Sequence, residues 1–174
     1  MESPYFQVCT IADWKILKEI SSITFESAFA AQNTAANMQY YMERAFSETQ
    51  IKKELSNPNS FFYLVYSGDL LIGYFKLNVG IAQNEPIEDG LEIERIYLLP
   101  AYQGFGFGQL MMNEIISIAR KLKIFKLWLG VWDQNFGAIK FYQRNGFSKF
   151  ATHEFRLGTD LQMDNLMEIT LEND

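Results

Sequence analysis

The chain has 174 residues, 48% of them hydrophobic, and a formal net charge of -6. A chain of this size forms one domain that buries roughly 70% of its unfolded surface, and the composition excludes disorder. The acidity argues against a nucleic-acid partner; taken alone it serves solubility, and it points only mildly to a cationic substrate.

Single residues narrow the classes further. Cys9 is the only cysteine, so no intrachain disulfide forms, and His153 is the only histidine, so no metal-ligand cluster is expected. The longest unbroken apolar run, residues 61–66, is far short of a membrane span. Glu2 and Pro4 open the chain without a basic segment, so no signal peptide is expected and a cytoplasmic location is.

In chain order, residues 5–10 read as a strand. Residues 12–31 place Trp14, Leu17, Ile20, Ile23 and Phe25 at helical intervals. Asn33-Thr34 caps a second helix over 35–45, and Ser47 with Gln50 resembles a capping box for a short helix ending near Asn57-Pro58. Residues 61–66 and 70–79 flank Ser67-Gly68-Asp69 as a hairpin. The polar stretch 80–90, with Pro86, is a loop. A buried strand follows over 91–99, closed by Pro100, then a helix from about Gly106 to Leu122 and a strand over 125–131. Asn135 caps a helix that ends before Asn145-Gly146, and strands over 147–157 and 162–171 complete the sheet. Strands and helices interleave, yet short hairpins also occur, so the class is α/β with a mixed sheet. No linker or repeat divides residues 1–174.

The most informative stretch is Gln103-Gly104-Phe105-Gly106-Phe107-Gly108, between a strand and a helix N-terminus. Without Cβ atoms the backbone can approach a phosphate, and the first helical N–H groups have no internal partner. The spacing is not the Gly-x-Gly-x-x-Gly of a dinucleotide fold, and Gly108-Gln109 lacks the Lys-Ser/Thr of a phosphate-binding P-loop. A pyrophosphate cradle is the first reading; a tight turn that binds nothing is the alternative. Downstream, Asn135, Ala138 and Tyr142 share one helix face by their spacing of three and four.

Together the two blocks resemble the Gcn5-related N-acetyltransferase (GNAT) family. Gln103, Gly106 and Gly108 match its Gln/Arg-x-x-Gly-x-Gly/Ala motif. Asn135, Ala138, Phe141-Tyr142 and Gly146-Phe147 match the motif that follows. The stretches 51–58, 73–78, 91–97 and 128–132, with Gly158-Thr159-Asp160, are similar to the PaiA-type spermidine/spermine N-acetyltransferases. The resemblance implies a single-domain fold with about seven mostly antiparallel strands flanked by helices. It also implies acetyl-CoA as co-substrate, no metal, and a small amine acceptor, with a polyamine favoured. The acetyl-CoA site would comprise Gln103, Gly104, Phe105, Gly106, Phe107, Gly108, Asn135, Ala138, Tyr142 and the backbone of Ile96, Tyr97 and Leu98.

Acetyl transfer needs a neutral amine, and at pH 7 only about one lysine-like amine in a few thousand is neutral. Glu92 and Glu94 are the candidate bases, two apart on a strand and so on one face; the alternatives are solvated carboxylates, or Glu94 paired with a neighbouring cation. Tyr142 is the candidate acid that protonates the leaving thiolate, or else a core phenol. Backbone N–H groups of 96–98 would support the developing oxyanion. Cys9 has no nearby histidine to activate it, which favours direct transfer in a ternary complex. His153 borders the acceptor side, either in proton removal or in a structural role. Glu85-Pro86-Ile87-Glu88-Asp89, Asp160 and Asp164 would contact a polyamine or form a solvated rim, and Tyr40, Tyr41 and Glu43 would form the other wall. A peptide or protein acceptor, and a non-catalytic acetyl-CoA sensor, stay open. Edge strands near the C-terminus would allow a homodimer.

Overall fold

A computed structural model describes residues 2–85 and 87–172; Pro86 of the acidic loop lies outside the described residues. The chain begins with β1 (Pro4–Val8), followed by helices α1 (Trp14–Phe29), α2 (Ala35–Ala45) and α3 (Glu48–Leu55). Then come β2 (Ser60–Ser67), β3 (Leu70–Val79), β4 (Gly90–Leu98), α4 (Phe107–Lys121), β5 (Lys126–Trp132), α5 (Phe136–Arg144), β6 (Ser148–Leu157) and β7 (Asp160–Thr170).

Local chemistry sets these ends. The long first helix read over 12–31 is bounded by tighter 3-10 turns at Ile11–Asp13 and Ala30–Gln32. Thr34 Oγ1 accepts from the Asn37 N–H at 3.2 Å and Ser47 Oγ from the Gln50 N–H at 3.1 Å, so both hydroxyls satisfy first-turn donors. The capping box at Ser47 is only half made, because Gln50 Nε2 donates to Glu54 Oε1 at 2.7 Å instead of reaching back.

The strands form one seven-stranded sheet in the order β1-β2-β3-β4-β5-β7-β6. Every neighbouring pair is antiparallel except β4 and β5, which are parallel and joined by the α4 crossover. The expected mixed, mostly antiparallel α/β sheet flanked by helices is therefore present. Strand alternation sends apolar side chains to both faces. Phe75, Leu77, Leu91, Ile93, Leu127 and Leu129 pack with Met111, Met112 and Ile115 of α4. Phe62, Leu64 and Tyr74 pack with Leu17, Ile20 and Phe25 of α1 and Ile51 of α3.

One irregularity shapes the middle of the sheet. Lys76 pairs with Arg95 while Leu77 pairs with Ile93, leaving Glu94 as an extra residue in β4. Such a bulge turns consecutive side chains toward one face. Arg95 and Glu94 accordingly meet at 3.2 Å, which a regular strand would forbid. Lys76 Nζ lies 2.5 Å from Glu94 Oε2 and 3.0 Å from Glu54 Oε2, and Arg95 Nη1 lies 3.3 Å from Glu54 Oε2. Neither cation is aligned for a hydrogen bond to that Glu54 oxygen, so the contact is ionic. This largely buried cluster ties α3 to the two central strands.

Candidate active site

β4 and β5 pair only over Gly90–Glu92 and Lys126–Trp128. Beyond those three pairs the strands separate, and a cleft of about 740 Å³ opens between their ends. The sequence-predicted Glu92, Glu94, Ile96, Tyr97, Leu98 and Gln103 line one arm, and Asn135, Ala138 and Tyr142 line the other. Phe25, Phe29 and Tyr41 cover the opening from the α1–α2 side. The Phe29 ring spans both arms, with its centroid 6.5 Å from Tyr97 and 6.4 Å from Trp132.

Beyond Gln103, which lines the cleft, the glycine turn 104–108 leads into α4 and is not itself part of the cleft lining. Gly104 and Gly106 have φ values of 81° and 86°, and a Cβ added at either meets only open space. Glycine is the residue that takes this conformation at little cost and leaves the amides approachable. The first backbone bonds of α4 run from the Gln109 and Leu110 N–H groups to the Gly106 carbonyl. Among the described residues, the N–H groups of 104–108 have no backbone acceptor, so five donors cluster at a helix N-terminus. Such unpaired donors suit an anion such as a pyrophosphate. Phe107 contributes only backbone there, since its side chain is core, 6.4 Å from the Tyr102 ring. Gln103 Nε2 donates to the Leu98 carbonyl at 3.1 Å, which braces the loop against the end of β4.

The second arm is held by α5. Asn135 Oδ1 accepts from the Ala138 N–H at 3.2 Å and so acts as N-cap. Gln109 Nε2 donates to Asn145 Oδ1 at 2.7 Å and joins α4 to α5. Tyr142 lies against Phe141 and Phe147, only 8% exposed, and its hydroxyl has no hydrogen-bond partner among the described residues. Burial raises the pKa of that phenol, and it also raises Tyr97 well above the ordinary tyrosine value.

The two glutamates differ sharply. Burial works against ionised Glu94, yet Arg95 and Lys76 outweigh it and hold its pKa below the ordinary value. Glu92 has no such cation. Its Oε2 accepts from Asn78 Nδ2 and the Asn84 N–H, both at 2.9 Å, and its Oε1 accepts from Asn84 Nδ2 at 2.7 Å. A carboxylate has about four lone-pair sites, so three donors leave one on Oε1. Burial, assisted by the negative charge of Glu94, nevertheless raises the Glu92 pKa. The result is a partly satisfied, poorly neutralised carboxylate in the cleft wall.

The acceptor end is built from scattered side chains. His153 Nδ1 and Glu85 Oε1 are 2.6 Å apart. Asp164 stands opposite His153 in the β6–β7 ladder, and burial raises its pKa to about 6. Glu85, His153 and Asp164 all line the cleft. Tyr41 does too, whereas Tyr40 and Glu43 line a separate groove with Arg156. Glu88, Asp89 and Asp160 are exposed and do not line the cleft. Sequence reasoning missed Asn78 and Asn84. Asn78 had a signal, since Lys76 and Asn78 are polar on one face of an otherwise apolar strand; Asn84 had none within its loop.

The comparisons with known proteins agree with this geometry. Residues 17–147 match the Acetyltransferase (GNAT) family. An uncharacterised N-acetyltransferase of Lactobacillus delbrueckii subsp. lactis is 38% identical over 153 residues, covering 87% of this chain and 88% of that protein. A spermidine N(1)-acetyltransferase of Thermoplasma acidophilum is 24% identical, covering 91% of this chain and 94% of that one. The crystal structure of the PaiA N-acetyltransferase of Thermoplasma acidophilum, in complex with coenzyme A, superposes with a TM-score of 0.77 at 23% identity. It covers 97% of this chain and 99% of that one, and it shares the fold. The chain belongs to the GNAT family and is an N-acetyltransferase that uses acetyl-CoA, PaiA-like in its architecture.

Proposed function

We propose that the acceptor is a slim polycationic amine of the spermidine/spermine type, acetylated by direct attack in a ternary complex. The observation that carries this reading is the Glu92 carboxylate, with one oxygen site open and no cation of its own, in a cleft whose acceptor end also holds Glu85 and Asp164. Cationic acceptors are attracted to such a lining, and the net charge of -6 adds a weak steering field.

In this reading Glu92 takes the proton from the acceptor ammonium, directly or through a water, which its raised proton affinity favours. The neutral nitrogen forms the N–C bond to the acetyl carbonyl carbon as the C–S bond breaks, and the second proton that this nitrogen then loses passes through solvent and restores the Tyr142 phenol. Of the 96–98 segment, the Ile96 and Leu98 N–H groups face the edge of β4 without a strand partner and stabilise the carbonyl oxygen as it gains charge. Tyr142 returns a proton to the departing sulfur. Glu94 stays ionised within the Lys76–Arg95–Glu54 cluster and acts on the site as a fixed negative charge. His153 holds Glu85 at the rim. A cytoplasmic setting belongs to the same reading, supported by a chain with one cysteine. The free edge of β6 would be the place for a homodimer.

A free-thiol release assay with acetyl-CoA tests the proposal against spermidine, spermine, small monoamines, and lysine or N-terminal peptides. Turnover with polyamines far above the rest is the expected outcome. Preferential turnover with peptides would replace the acceptor with a protein, and tight acetyl-CoA binding without turnover would leave a sensor.

A further inference from the structure

We propose that Asn78 is the positioning residue of the proton-accepting carboxylate, holding Glu92 and Glu94 apart with the two hydrogens of one amide; this rests on Glu92 as the base. Asn78 is fully buried on β3. Its Nδ2 donates to Glu92 Oε2 at 2.9 Å and to Glu94 Oε2 at 2.5 Å. Its Oδ1 accepts from Ser60 Oγ at 2.9 Å, and Ser60 is its cross-strand partner on β2. The reversed amide would set a carbonyl oxygen against two carboxylates, so Ser60 and the glutamates agree on one orientation.

The division of labour follows from what else touches each carboxylate. Lys76 and Arg95 make ion pairs with Glu94 and Glu54, and neither reaches Glu92. Two like charges sharing one donor raise each other's proton affinity unless one is neutralised elsewhere. Glu94 is so neutralised, and the mobile proton therefore falls to Glu92. The charged and titratable groups around Glu92 are Glu94 and Arg95 on its own strand, Lys76 on β3, Glu54 on α3 and Tyr41 on α2. The cleft lining also holds Glu85, next to the Asn84 that donates to Glu92, together with His153 on β6 and Asp164 on β7. Asn78 also fixes which oxygen stays free. Its hydrogen bond goes to Oε2, so the open site is on Oε1, the oxygen shared only with Asn84.

The test is a carbon-13 NMR titration of the Glu92 carboxyl in the full chain, for the native protein, Asn78→Leu and Ser60→Ala, run beside pH profiles of kcat/KM. A donor to the carboxylate favours its charged form, so losing it moves the titration to higher pH. Asn78→Leu is expected to shift both the titration and the acid limb of kcat/KM upward by about one pH unit, so that kcat/KM falls by up to ~10-fold on the acid limb and recovers as pH rises. The KM for acetyl-CoA stays unchanged. Ser60→Ala shifts both in the same direction by less, and decides alone if Asn78→Leu does not fold. A titration that stays in place in the folded variants, whatever their stability, overturns the positioning role. Full turnover by Glu92→Gln overturns the base assignment instead, since the NMR titration reads Asn78 without relying on catalysis.

Discussion

The two ends of the cleft are made of different material. The end proposed for the donor is backbone, with the unpaired edge of β4 leading to the amides of residues 104–108 just beyond the cleft at the start of α4. The end proposed for the acceptor is side chain, with Glu92, Asn84, Glu85, His153 and Asp164 drawn from β4, β6, β7 and the 80–90 loop, and Asn78 of β3 buried behind them. A site of backbone serves the invariant part of a reaction, because its donors do not change with side-chain substitution. A site of side chains can be retuned residue by residue. The contrast predicts that changes at the donor end act through glycine geometry and the KM for acetyl-CoA, and changes at the acceptor end through kcat and pH.

Glu92→Gln should give the largest effect, a fall in kcat/KM of ~10²–10⁴ with acetyl-CoA affinity intact by calorimetry. A variant that retains native turnover would break the contrast at its centre. Tyr142→Phe keeps the ring packing against Phe141 and Phe147, and should lower kcat by ~10² while leaving acetyl-CoA binding unaltered. Unchanged turnover would remove the acid role from the phenol. At the other end, Gly106→Val forces a β-branched residue to a φ of 86°, a strain of roughly 1–2 kcal/mol. The expected reading is a KM for acetyl-CoA raised ~10-fold with kcat at saturation near native, from the same energy.

The smallest effect is expected at Asp164. Its folded-state pKa of about 6 lies above the ordinary aspartate value, so folding favours its protonated form. The stability this contributes is complete below the unfolded value and is lost as pH rises through about 6. Asp164→Asn should therefore raise Tm at neutral pH and leave it unchanged below about pH 4. With a polyamine as the acceptor, the KM of the native protein is expected to rise as pH falls through about 6, and the same variant should flatten that rise. A polyamine KM that ignores both pH and the substitution would take Asp164 out of acceptor binding.

What could be read from the sequence follows the same division. The strand, glycine turn and helix around residues 91–122 are contiguous, so their order was legible from spacing alone, and the family motifs added Asn135, Ala138 and Tyr142 as candidates. Strand alternation placed Glu92 and Glu94 on one face, and they do share Asn78. It could not foresee that Glu94 is the extra residue of a bulge, because a bulge depends on the register of β3 against β4. The bulge turns Arg95 onto the glutamate face, and that contact separates the two carboxylates electrostatically. Asn84 was hidden for another reason. A loop residue gains meaning only from where the loop lands, and this one is pinned by Gln83 Oε1 accepting from Trp128 Nε1 at 2.6 Å and by His153 against Glu85.

The three-pair seam between β4 and β5 has a consequence outside the chemistry. The two halves of the sheet are joined edge to edge over a short distance, and the rest of that junction is open to substrate. A molecule that occupies the gap and binds both arms adds its binding energy to the folded state alone, by mass action. With acetyl-CoA at 100 times its Kd the gain is about 2.7 kcal/mol, a large share of the stability of a domain this size. Loading with the donor is thereby expected to raise the thermal midpoint of the enzyme, increasingly so as the acetyl-CoA concentration climbs above its Kd.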